Sequence, residues 1–378
     1  MKLNLTFALF LVGCMPSVDP ATKNQARFDT STSPDTGALD DTGGTPVKQT
    51  QILLSTIAND YSLGAVATVD LETGLVNDAL ATTSGDAVVR STGGLAIVLN
   101  RFNTDSVRIY DGEDWSQPTV EFALADLSNP HDAVLCGEKL WVTQHNTAQI
   151  TAHDTRTGLV VDSIDLSPWA GTDGAAEASG MLVDGETILV SVQQFDQDSG
   201  WTSEGGVLLR FACSGGAPSV VTEIGPSPSV ASGSTGDDLV IRTGLYGEAD
   251  GVVASVNSQT GEHTVLLEEA DFGRDITGVA ITPTDLVFVT TTPDWIYQIH
   301  CVDRETGVRT DGPQSTAFWS DIDIDGRGRA WIAARTGWAP DSPTQGGLQV
   351  FETDGCTDAS PGGQPIRTTL NPYNLVFR

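Results

Sequence analysis

The 378 residues carry 50 Asp and Glu against 19 Lys and Arg, a formal charge of -31. Such a surface repels phosphate backbones, so nucleic acid is excluded as an expected partner; an acidic coat that maintains solubility accounts for it. Forty glycines, 18 prolines and 39% hydrophobic residues suit short strands and many turns, and the apolar residues alternate with period two, leaving no amphipathic helix of ordinary length.

The chain opens on a targeting segment. Lys2 precedes an apolar run over residues 3–12, too short to cross a bilayer as a helix, which takes ~20 residues. Leu11-Val-Gly-Cys14 then resembles the lipobox of bacterial lipoproteins, with a small residue, Gly13, before the cysteine. The resemblance implies that residues 1–14 hold the signal peptide and lipobox and that Cys14 carries the lipid. With Met15 rather than Asp after the cysteine, it implies a cell-envelope protein held at the outer membrane rather than the inner. Residues 15–49 are rich in Pro, Ser, Thr, Asp and Gly and bury too little to offset the entropy of ordering, so a disordered tether is expected. Its reach is ~30 Å by flexible-chain scaling.

The propeller domain expected over residues 50–378 is marked by a recurring turn. It reads Asp70-Leu-Glu-Thr-Gly74, Asp154-Thr-Arg-Thr-Gly158, Asn257-Ser-Gln-Thr-Gly261 and Asp303-Arg-Glu-Thr-Gly307. Asp or Asn folds its side chain onto the amides ahead, and Gly supplies the positive φ that reverses the chain. The intervals correspond to units of about 42 to 51 residues, the length of a four-stranded propeller blade. Residues 129–166 give the template, with strands at 131–136, 140–143, 149–153 and 159–166. Second strands at 95–99, 187–191, 239–242, 286–289 and 330–333 align with it, giving six complete units over 84–370. Residues 51–80 supply three further strands but no first one. Asn371-Pro-Tyr-Asn-Leu-Val-Phe-Arg378 matches Asn129-Pro-His-Asp-Ala-Val-Leu-Cys136 and supplies it. The expected fold is an all-β, seven-bladed propeller whose C-terminal strand closes the N-terminal blade and so removes two open edges.

On these turns and this strand pattern, residues 51–378 resemble the YVTN and pyrroloquinoline-repeat-like propellers, some of which are lipoproteins. Blades of the pyrroloquinoline type carry a docking Trp beyond the turn. Residues 75–80 and 262–267 hold none, so no quinone cofactor is expected.

The candidate chemistry lies at strand ends. Asp321-Ile-Asp-Ile-Asp-Gly326 begins like a calcium loop, but the twelfth position is Ile332 where an EF-hand needs Glu; it reads as an inner strand and its turn. The five histidines show no metal-ligand spacing. His131 and His145 are the one suggestive pair, brought together by the hairpin at Gly137-Glu138, and propeller lyases and lactonases place His and Glu at the channel mouth. Polar residues at a strand end are the plainer reading. Cys136, Cys213, Cys301 and Cys356 fall in turns of one face, and export favours oxidation, so Cys136–Cys213 and Cys301–Cys356 are candidate bridges, with free buried thiols the plainer reading.

The opposite, top face carries longer loops with Trp201, Tyr246, Trp295, Trp338 and Tyr61, anchors suited to a protein or glycan; rings that merely pack the loops are the plainer reading. The top ends of the first strands hold Asp86, His131, Asp132, Ser179, Thr277, Asp321, Tyr373 and Asn374. Three carboxylates there, Asp86, Asp132 and Asp321, with no Lys or Arg at the aligned positions, favour a weakly held cation such as Ca2+ or a polyhydroxylated ligand; otherwise no cofactor is expected. Part of this ring is routine turn chemistry. The expected function is a monomeric, membrane-anchored, non-catalytic binding or scaffold propeller that takes its ligand through the top-face loops. The alternative is a propeller enzyme of lactonase, lyase or dehydrogenase type with its site at the channel mouth.

Overall fold

The computed structural model describes residues 49–196, 202, 203, 205–339 and 341–378. Cys14, the tether up to residue 48, and Trp201 lie outside the described residues. The described strands form seven four-stranded antiparallel sheets, each running from an inner strand at the channel to an outer one at the rim. Numbered from the N-terminus, blades 2 to 7 have inner strands Ala87–Thr92, Pro130–Cys136, Ala178–Asp184, Ser229–Val230, Asp275–Ile281 and Phe318–Ile324. Blade 1 takes its inner strand, Asn371–Phe377, from the C-terminus and pairs it with Gln51–Ile57, so the ring is closed by the last strand.

The marker turns form for the reason their residue types suggest. Asp70 Oδ1 accepts from Glu72 N, Thr73 N and Thr73 Oγ1 at 3.1, 2.7 and 2.7 Å, and Gly74 follows at φ 69°. Asp154 and Asp303 repeat this set, and Asn257 repeats its two backbone bonds. A residue with a Cβ at these glycines would be held in a conformation that L side chains rarely adopt.

Hydrophobic cores lie between neighbouring blades. Trp141 of blade 3 meets Phe211 of blade 4 edge-on at 5.0 Å, and Trp331 of blade 7 meets Phe377 of blade 1 at 6.2 Å. Cys136 is bonded to Cys213 and Cys301 to Cys356, with Cα separations of 5.4 and 5.5 Å; the bridges join blade 3 to blade 4 and blade 6 to blade 7. The second bridge spans 55 residues and contributes about 2–4 kcal/mol by the loop-entropy relation. Replacing Cys301 and Cys356 together by Ser should lower the unfolding free energy by that amount in urea titrations. An unchanged midpoint would show that the bridge carries no stability.

Candidate functional site

The channel is built by a local irregularity. In blades 1, 3, 4, 6 and 7 the register between inner and second strands slips near the top end. A bulge of this kind re-aims the side chains that flank it. His131, Asp132, Ser179, Thr277 and Tyr373 fall within these slips, and Asp321 and Asn374 border them.

Three members of the expected ring are thereby turned sideways onto the next blade. Asp132 Oδ2 accepts from Met181 N of blade 4 at 2.6 Å, Asn374 Oδ1 from Val89 N of blade 2 at 2.8 Å, and Asp321 Oδ2 from Leu375 N of blade 1 at 2.8 Å. Arg90, buried in the channel, binds Asp132 Oδ1 through Nε at 2.5 Å, Asn374 Oδ1 through Nη1 at 3.1 Å and His131 O through Nη2 at 3.1 Å. Asn374 Nδ2 also donates to Asp321 Oδ2 at 2.6 Å. The ring positions themselves hold no Lys or Arg, as expected, but Arg90 reaches into them from the inner strand of blade 2. Asp132 and Asp321 are spent on tying blades together, and Asp86 pairs with Arg101. Among the described residues no three His, Cys, Asp or Glu side chains are grouped to hold a metal ion. In the DxDxDG stretch, Asp325 likewise accepts from Arg327 N, Arg329 and Trp331 Nε1.

Two channel carboxyls titrate unusually. Burial, and then the charge of Asp323, pushes Asp321 up to about 8; burial, and then the charge of Asp325, pushes Asp323, bonded to Ser232, up to about 7. A folded-state pKa raised above the unfolded one means that the native state holds more protons between these values, so stability falls as pH rises through them. Between pH 7 and 9 the unfolding free energy should drop by on the order of 1–2 kcal/mol. A melting temperature that is flat or rising over that window contradicts this.

At the mouth, Asp86 meets Arg101 Nη2 at 2.8 Å and the Tyr373 hydroxyl at 2.9 Å. Burial works against its charge, yet Arg101 and the Tyr373 hydroxyl hold the carboxyl below its usual range. His131 and His145 stack at 4.2 Å with their planes 19° apart, as the hairpin geometry predicts. His145 is fixed by Asn146 Oδ1 at 3.2 Å and Gln193 Oε1 at 3.1 Å, and Gln193 donates on to Ser227 Oγ at 3.4 Å. Ser179 is absorbed by Ser191, with hydroxyls 3.0 Å apart. Thr277 lines a small cavity with Arg242, Tyr246, Glu269 and Asp275, and its hydroxyl is buried without a hydrogen-bond partner among the described residues. Burial pushes Glu269 up to about 7 there, against donation from the Gly251 and Ile276 amides.

The rim continues in aromatic rings. Tyr246 stacks on Trp295 at 5.2 Å and Trp295 meets Trp338 at 4.9 Å. The Arg335 guanidinium lies 4.8, 5.2 and 5.6 Å from the rings of Tyr61, Phe318 and Trp338. Tyr61 meets Tyr373 at 6.5 Å, which brings the series back to Arg101 and Asp86. The rings thus pack on one another rather than projecting as separate anchors.

Sequence reasoning missed Arg90, Arg101, Arg242, Arg335 and Glu177. Arg101, His145, Gln193, Arg242 and Arg335 all end or directly follow a second strand, so aligning the blades at that position would have found four of the mouth residues together with His145. Glu177 is fully buried at φ 51° one residue before the inner strand of blade 4, and its carbonyl accepts from Gln193 N at 3.1 Å. Asn129 and Ser227 adopt the same positive φ, 52° and 51°, just before the inner strands of blades 3 and 5, so the conformation is a repeated entry to the channel strand.

Comparison of the sequence with protein-family models and with curated proteins finds no match. Solved structures do resemble the chain. A protein from Lactobacillus plantarum aligns over 87% of this chain and 99% of its own, at 12% identity and TM-score 0.62. A periplasmic gluconolactonase from Pseudomonas aeruginosa aligns over 87% and 99%, at 14% identity and TM-score 0.60. A putative 6-phosphogluconolactonase from Bacteroides fragilis aligns over 89% and 99%, at 13% identity and TM-score 0.58. The likeness is one of fold. It establishes the propeller and carries no activity across at these identities.

Proposed function

We propose that this chain is an envelope-tethered, non-catalytic binding propeller that takes its ligand on the top face. A lipid on Cys14 holds it at the outer membrane and residues 15–49 space it from the surface, as a monomer. The observation that carries the binding reading is the set of mutual contacts at the mouth: Asp86, Arg101 and Tyr373 joined through Tyr61 and Arg335 to the aromatic rings, and the His131–His145 stack joined through Gln193 to Ser227. The polar groups of these two sets are held by one another and present a fixed surface; the raised Glu269 carboxyl lines the neighbouring cavity and belongs to neither set.

A second reading, lactone hydrolysis at the same mouth, is favoured by one specific feature. Stacked His131 and His145 share the mouth with buried Glu177 and the Asp86–Arg101 pair. Titrating acid release from D-glucono-1,5-lactone separates the two. The binding reading expects no hydrolysis above buffer; turnover that disappears in His145→Ala would replace it with the enzyme. Anchoring is tested by fractionation, where Cys14→Ala should move the protein from the membrane to the soluble fraction. Protein that stays in the membrane fraction would remove the anchor.

A further inference from the structure

The loops of blades 5, 6 and 7 form a ridge beside the mouth. Tyr246, Trp295 and Trp338 are locked ring against ring, with Phe318 meeting Trp338 edge-on at 4.9 Å and Arg335 packed behind. Trp338 is 44% exposed, and Tyr246 and Trp295 are half-buried. Because the rings hold each other, a ligand resting on them pays little to order them.

Each loop also exposes a carboxylate within four residues of its ring in sequence: Glu248 and Asp250 after Tyr246, Asp294 before Trp295, and Asp341 after Trp338, with Asp250 Oδ1 accepting from Leu245 N. The loop sequences 244–251, 292–296 and 336–346 contain no Lys or Arg. An aromatic face flanked by carboxylate acceptors is suited to a sugar, whose C–H face lies on the ring while its hydroxyls donate to the carboxylates. The charge of -31 selects against acidic glycans and nucleic acid. A ridge offers no deep apolar pocket of the kind that anchors a protein hot spot. We propose that the Tyr246–Trp295–Trp338 ridge docks a neutral oligosaccharide laid across blades 5 to 7. This rests on the top face being the ligand face.

The test titrates the full chain, purified in detergent, with cellohexaose, chitohexaose and maltohexaose, and with hexagalacturonate as the anionic counterpart, following tryptophan fluorescence. At least one neutral hexamer should give saturable quenching, with hexagalacturonate about tenfold weaker or more. Trp338→Ala should weaken the neutral sugar about tenfold. Asp341→Asn, at an exposed position where the melting temperature should not change, should weaken it about threefold. Failure of all three neutral hexamers at millimolar concentration overturns the ridge and leaves the top-face reading to the lactone experiment. Binding lost in His131→Ala but kept in Trp338→Ala moves the sugar into the mouth, overturning the ridge alone. Binding kept in both variants puts the sugar off the top face and overturns both readings.

Discussion

A chain ending at residue 370 should fail to melt cooperatively, or should precipitate. Without Asn371–Phe377, the strand Gln51–Ile57 loses its ladder from Ile52↔Phe377 to Ile57↔Asn371, leaving an open edge on blade 1 at the channel. Tyr373, Leu375, Val376 and Phe377 are all buried. Four such side chains contribute on the order of 8 kcal/mol, comparable to the whole stability of an ordinary domain, about 5–15 kcal/mol. The loss also strips Asp321 of the Leu375 and Asn374 donors and Val89 N of its acceptor. Circular dichroism melting checks this. A truncated protein with the melting curve of the full chain would mean that the ring is held shut by something other than its last strand.

Asp132→Ala should be the most damaging single substitution in the channel. It leaves the Arg90 guanidinium, 3% exposed, without its carboxylate and removes the acceptor of Met181 N. Breaking one side of a buried pair typically costs about 3–5 kcal/mol, because the remaining charge stays desolvated. Arg90→Met combined with Asp132→Leu should cost less than the two single changes added together, since no charge is then stranded. Urea unfolding of the four proteins measures the coupling. A loss below about 1 kcal/mol for Asp132→Ala would place the pair among weak surface bridges instead.

The Asp-x-x-Thr-Gly turns, the period-two strands and the match between residues 371–378 and 129–136 were legible because each depends on residues close in sequence. A turn needs an acceptor two or three residues back and a glycine able to adopt positive φ, and both are visible in a five-residue window. The inner strand of blade 5 was not legible. Only Ser229–Val230 pairs there, ahead of the Gly- and Ser-rich stretch 231–236, whose Ser232 bridges to Ala280 of blade 6.

The sequence by itself determined the all-β class, the number of blades and the strand that closes them, all consequences of local periodicity and turn chemistry repeated along the chain. The tertiary structure alone decided what the mouth is made of. Asp86 and Tyr373 are 287 residues apart, and Arg335 reaches Tyr61 across 274. No local pattern encodes such pairs; they meet because the ring closes. Bulges at the channel then turn Asp132, Asp321 and Asn374 onto neighbouring blades, so residues that align as a ligand ring become inter-blade ties, and the arginines from second-strand ends take their place at the mouth. A one-residue slip re-aims every side chain around it, and where that slip falls is set by packing between blades.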